Sequence, residues 1–203
     1  AESNWDGGNR VERAARLDAI ADLLREIDAD IVVLNEVDFD ASWSDSVNQA
    51  RYLAKKAGYS YWVEQRNMDF RILHRTWRFG NAVLSKYPIV DARAVELPSY
   101  STWETVFAGK KRGIDCDIDV GHQKIRILGV HLSHRSESVR VDSARLLGEI
   151  AAASDVPTII AGDLNSTPVG FPESVSDADG NNAIGALDGL GVFQRSPTAA
   201  PVK

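Results

Sequence analysis

Apolar residues recur with two different periods along this chain, and the two periods alternate. Between residues 10 and 28, Leu17, Ile20, Ala21, Leu24 and Ile27 fall three and four apart with charges between them. That spacing predicts an amphipathic helix with this set facing inward. Ile31-Val32-Val33-Leu34 follows, apolar on both faces as a central sheet strand is, and runs into Asn35-Glu36-Val37-Asp38. A second helix is predicted over 45–57, stopped by Gly58, and strands over 59–63 and 81–85. "KYPIV" (86–90) reads as a turn into a short strand near 91–97. Residues 113–130 read as a hairpin: Ile114, Cys116, Ile118 and Val120 alternate with Asp115, Asp117 and Asp119. Gly121-His122 makes its turn, and Ile125, Ile127 and Val130 return. A third helix is predicted over 136–153, with Val139, Ala144, Leu147 and Ile150 inward. A strand beginning at Thr158 and a short helix over 183–190 complete the alternation. "SDADGNN" reads as a loop and the closing "SPTAAPVK" as unstructured. No internal repeat or dividing linker is visible, so one domain over 1–203 is expected.

Composition narrows the class. The chain is 44% hydrophobic and 26% charged, as soluble globular proteins are. No apolar run nears the roughly 20 residues of a membrane span. The first ten residues, "AESNWDGGNR", lack the basic start and apolar stretch of a secretory signal, but a signal already removed leaves no trace. The single Cys116 excludes an internal disulfide framework, so cytoplasmic and secreted locations both stay open, as does the oligomeric state. A net charge of −6 argues against whole-surface attraction to nucleic acid or anionic membrane, though Arg66, Arg71, His74, Arg75 and Arg78 crowd one segment and Lys110-Lys111-Arg112 another.

Three apolar strands end in chemistry: the first in Glu36, the second ("IRILGVHLSH") in His131, the third ("TIIAGDLNSTP") in Asp163 and Asn165. Ligands of α/β folds bind in crevices at strand ends. A carboxylate from one strand and Asp-x-Asn from another are hard oxygen donors suited to Mg²⁺ or Mn²⁺. A histidine beside them can donate to a phosphate oxygen. Taken singly, each has a plainer reading: a surface Glu, an Asx-turn at Asp163, a structural histidine. Their conjunction favours a phosphate site.

"VVLNEVD" (32–38), "FGNAVLSKYPI" (79–89), "GVHLSHRSESVR" (129–140) and "IIAGDLNSTP" (159–168) occur in that order. Together they resemble the endonuclease/exonuclease/phosphatase superfamily, whose members are similar to pancreatic deoxyribonuclease and the abasic-site endonucleases. The resemblance spans about residues 10 to 195. It implies an α/β four-layer sandwich, two mixed β-sheets face to face with helices outside. It implies metal-dependent hydrolysis of a phosphoester, with Mg²⁺ or Mn²⁺ as cofactor. It makes Glu36 the metal ligand, with Asn35 where the family usually has Gln. His131 becomes the hydrogen-bond donor to the scissile phosphate, Asp163 the group that positions or activates water, and Asn165 its support. Asn81 and Arg78 fall where substrate contacts are expected. Family members usually open with a strand ending in Asn and close with a Ser-Asp-His run. Neither is found here, so a domain lacking its first and last strands is expected. The substrate is a nucleic acid or a small phosphoester. The alternative is a non-catalytic module that keeps the cleft and binds phosphorylated ligands or a protein. Two rivals fit poorly. The "DCDID" run has the paired aspartates of haloacid dehalogenases but is followed by a hairpin, and is read as a solvated strand face with cross-strand Asp–Lys/Arg pairs. Calcineurin-like phosphatases need more histidines than the four present.

Overall fold

The structure is a computed structural model and describes residues 8–100 and 111–195. Its elements run α1 (Arg10–Ile27), β1 (Ile31–Asp38), α2 (Gln49–Ala57), β2 (Tyr61–Ile72), β3 (Arg75–Ser85), β4 (Ile89–Glu96), β5 (Arg112–Asp119), β6 (Lys124–His131), α3 (Glu137–Ala152), β7 (Thr158–Asp163) and α4 (Ala183–Asp188). One sheet has the order β1-β3-β2 and the other β4-β5-β6-β7. The first is antiparallel throughout its described strands. The second is mixed, because β7 joins β6 in parallel through the α3 crossover.

Alternation along the strands builds the four layers. On β3, Ala82 and Leu84 turn outward to meet Leu24 of α1 and Leu53 of α2, while Val83 turns inward. Val83, Cys116, Ile118 and Ile127 then form the layer between the sheets. On β6, Leu128 and Val130 turn to the other outside and pack with Leu147 of α3. Apolar residues at period two therefore serve two cores from one strand, which is why β1 reads as apolar on both faces and why β6, read with Lys124 and Arg126 on a polar face, is apolar on both faces over Ile127–Val130.

Several expectations need correction. Ile20 and Ile27 of α1, expected inward, are exposed; the helix meets the sheet along the narrower line of Ala21 and Leu24. Residues 45–48 are not helical: Asp45 and Ser46 have positive φ, and the helix starts only after Asn48 accepts a hydrogen bond from Arg51 N. The strands expected at 59–63 and 81–85 are the inner halves of a long β2–β3 hairpin. Its outer half alternates Met68, Phe70 and Ile72 with Asp69 and Arg71, but most of these side chains are solvated. The Asp–Arg pairs across β5 and β6 are present, as Asp117 takes Arg126 Nε at 2.9 Å. Asp115, however, is buried rather than solvated, held by Arg93 and Arg126. The closing "SPTAAPVK" lies outside the described residues. Among the described residues, no helix is long and apolar enough to cross a membrane.

The inter-sheet layer also encloses Cys116, whose thiol is pushed up to about 12 by burial and then by the neighbouring charge of Asp115. Since the thiolate is the reactive species, thiol reagents at pH 8 should label native protein at least about a hundredfold more slowly than urea-unfolded protein. A stopped time course read by mass spectrometry checks this.

Candidate active site

Three strand ends meet at one edge of the sandwich, and each is shaped by a local irregularity. On β1 the pairing with β3 slips between Leu34 and Val37, so that Asn35 and Glu36 together face one residue of β3. Glu36 takes a left-handed φ of 55° within this bulge. Bulges re-aim side chains at sheet rims, and the Glu36 side chain emerges 78% exposed. Asp38, the next carboxylate, is held down instead by Trp43 and Gln49. Its burial raises its pKa.

On the second sheet, the parallel register sets His131 opposite Asp163. Gly162 is what permits it: its φ is 127°, and a Cβ there would lie 2.0 Å from the Val130 carbonyl oxygen. The chain then reverses over Asp163. Asn165, itself at φ 48°, donates its backbone N–H to Asp163 Oδ1 at 2.8 Å and its side-chain amide to the Leu132 carbonyl at 3.1 Å. Leu132 N donates to the Asp163 carbonyl at 2.9 Å.

The result is one constellation. His131 is buried, with Nδ1 4.0 Å from Glu36 Oε1 and Nε2 4.0 Å from Asp163 Oδ2. Burial first, and then the charge of Lys111, lowers the His131 pKa against the opposing pull of both carboxylates. The imidazole is therefore mainly neutral at pH 7, a donor that does not neutralise either acid. Lys111, singled out in the sequence only as one of a basic run, is the member of that run whose charge is felt at His131.

The structure thus brings together Glu36, His131, Asp163 and Asn165. It places Asn81 and Arg78 otherwise. Asn81 is fully buried, not at a substrate surface, with its amide donating to Gln65 and to the Arg112 carbonyl. Arg78, like Arg66, is committed to Asp69 on the hairpin, at 2.6 and 2.7 Å respectively. Lys110 lies outside the described residues.

A divalent metal can be tested against these side chains. Among the described residues no three His, Cys, Asp or Glu side chains cluster tightly enough to cage an ion. Mg²⁺ does not need a cage, since it keeps several waters and takes one or two carboxylates. Glu36 offers an exposed carboxylate, and the neighbouring Asn35 Oδ1 is buried with no donor. A hydrated Mg²⁺ or Mn²⁺ held by Glu36 fits this donor set.

A model of the endonuclease/exonuclease/phosphatase family matches residues 4–188. The chain belongs to that family. Solved structures agree in fold. A family member from Beutenbergia cavernae DSM 12333 aligns at 23% identity and TM-score 0.64, covering 86% of this chain and 47% of that one. One from Bacteroides vulgatus aligns at 18% identity and TM-score 0.58, covering 76% and 59%. ANGEL2, described as a 2′,3′-cyclic phosphatase in complex with adenosine-2′,3′-vanadate, aligns at 21% identity and TM-score 0.52, covering 74% and 44%. The chain therefore spans less than two thirds of the length of each of these structures. No match was found among curated proteins.

For this family member, the strand-end geometry yields a stability test. Gly162 and Gly121 both have left-handed φ, but a Cβ at Gly121 meets nothing within 4 Å. Gly121→Ala should cost about 1 kcal/mol, the backbone term alone. Gly162→Ala should cost at least about 2 kcal/mol more, because the carbonyl it strikes belongs to the β6 ladder. Urea unfolding of the two variants measures the difference.

Proposed function

We propose that the whole protein hydrolyses a phosphoester, using a divalent metal and an activated water. One observation carries this reading: a buried histidine stands between two carboxylates on different strands, 4.0 Å from each. A structural histidine would be expected to have one fixed partner. This one faces two acids with exposed oxygens, an arrangement suited to receiving something between them. The family's name joins nucleases with phosphatases, and both cleave phosphoesters.

Each residue has a role in this reading. Asp163 has one oxygen fixed by the Asn165 N–H, leaving Oδ2 to take a proton from an attacking water. His131 donates to a phosphoryl oxygen, and its hydrogen bond strengthens as charge builds there. Asn165 keeps Asp163 and the Leu132 carbonyl in register. Lys111 adds positive charge on the same side. Glu36 would hold the Mg²⁺ or Mn²⁺, which when bound supplies charge neutralisation at the phosphoryl oxygens. The substrate class is a phosphorylated small molecule or nucleic acid. The adenosine-2′,3′-vanadate on ANGEL2 makes nucleotide phosphoesters a reasonable first panel.

Hydrolysis of a chromogenic phosphodiester or phosphomonoester should require Mg²⁺ or Mn²⁺ and stop in excess chelator; full activity in chelator would sink the metal mechanism. Asp163→Asn should lower kcat by roughly 10²-fold or more, the usual scale for a general base. Glu36→Gln should instead raise the metal concentration needed, with part of the rate recovered at high Mg²⁺. Melting temperatures should hardly move, since both side chains are more than half exposed, at 78% and 55%. A whole protein without turnover would favour the binding module.

A further inference from the structure

Behind the two loops that carry His131 and Asp163 lies a buried charge that the chemistry above does not use. Glu137 opens α3 and is 6% exposed, and Arg140, one turn on, is 7% exposed. A carboxylate is buried at heavy cost unless its lone pairs are taken up. Here they are taken up by three separate segments. Oε2 accepts from Arg140 Nε at 2.8 Å and Nη2 at 2.6 Å. Oε1 accepts from Ser166 Oγ at 2.8 Å and from the backbone N–H of Ala183, the first residue of α4, at 2.7 Å. Arg140 in turn donates Nη1 to the Ser133 carbonyl at 2.6 Å.

The two ends of this chain of bonds matter. Ser133 is two residues past His131. Ser166 directly follows Asn165. The run Ser133–Arg140–Glu137–Ser166 therefore ties the loop leaving β6 to the loop leaving β7. Helix capping does not explain it, because Ser136 already caps α3 by accepting from Val139 N. An exposed Glu would serve the helix dipole equally well without the cost of burial.

We propose that Glu137 is the positioning residue of this site, fixing the separation of the His131 loop from the Asp163–Asn165 loop through Arg140 on one side and Ser166 on the other. The inference rests on reading that site as a hydrolytic centre, and the test separates the two. Glu137 touches no reacting atom, so its loss acts through geometry, where displacements near 1 Å are costly.

The experiment is made on the whole protein with Ser166→Ala, Ser166→Thr and Glu137→Gln. Ser166→Ala removes one bond and leaves the Glu137–Arg140 pair and the Ala183 bond in place, so the fold persists. Two backbone amides report on the loops: Asn165 N, bonded to Asp163 Oδ1, and Leu132 N, bonded to the Asp163 carbonyl. In Ser166→Ala both should exchange with solvent about tenfold faster. In the same variant kcat should fall roughly tenfold while KM stays within about twofold. Ser166→Thr, which keeps the hydroxyl, should restore both readouts. Glu137→Gln puts an amide donor against Arg140 and should shift both further. Unchanged exchange at Asn165 and Leu132 in Ser166→Ala overturns the brace whatever the turnover. Faster exchange with unchanged kcat overturns the positioning role. A parent protein with no turnover fails the hydrolytic reading, and the exchange comparison still decides the brace.

Discussion

The parallel pairing of β6 with β7 is the contact on which the rest of the site depends. It sets His131 level with Asp163, two residues 32 positions apart in the sequence. A shift of one residue would turn His131 to the opposite face, because strand side chains alternate. The pairing is held on both sides. Leu128 and Val130 of β6 are locked under Leu147, and Ile127 is locked between the sheets. At its end it is held by the absence of an atom, since only a residue without Cβ lets strand 7 pass the Val130 carbonyl at the Gly162 position.

The first sheet meets this edge with a different device. Both strands flanking β3 slip register near Gly80, β1 between Leu34 and Val37 and β2 between Arg66 and Met68. The backbone approaches so closely there that a Cβ on Gly80 would lie 1.9 Å from the Gln65 carbonyl. These paired irregularities free Glu36 from the ladder and bury Asn81 beneath it. Strain of this kind is stable only when its surroundings over-determine it. Val37 and Phe39, packed into the α1–α2 layer on either side of Asp38, provide that constraint.

Electrostatics follow the same division between edge and interior. At the edge, Glu36 and Asp163 keep exposed oxygens, and His131 between them is depleted of charge by burial and by Lys111. In the interior, among the described residues, the two buried carboxylates are matched: Asp115 by Arg93 and Arg126, Glu137 by Arg140, Ser166 and Ala183. Removing one partner of such a buried pair costs about 3–5 kcal/mol, far more than an exposed pair such as Arg145–Asp142.

How much of this was legible beforehand follows from which interactions are local. Period-two and period-3.6 patterns record burial of one face, so the strands holding Ile31–Leu34, Ile114–Val120 and Ile125–Val130 and the helix on Leu147 stood out. The motifs at Glu36, His131, Asp163 and Asn165 stood out because each is a polar group at the end of an apolar run. The outer β2–β3 hairpin did not, although Met68, Phe70 and Ile72 alternate with Asp69 and Arg71, because its apolar residues stand among the arginines of a basic segment. Ile20 and Ile27 misled because apolar spacing shows that a face exists but not that a partner covers it. Asn81 and Arg78 were placed by motif position alone. Their side chains answer to Gln65, the Arg112 carbonyl and Asp69, none of which is a sequence neighbour. Nothing in the sequence set Glu137 apart from other acids of the chain, and Lys111 was one of a basic run. Sequence by itself determined the elements and the groups at their ends, because those depend on local periodicity. Only the tertiary structure decided which groups face one another and which charges are buried, because register, crossover and bulge bring together residues that are far apart in the chain.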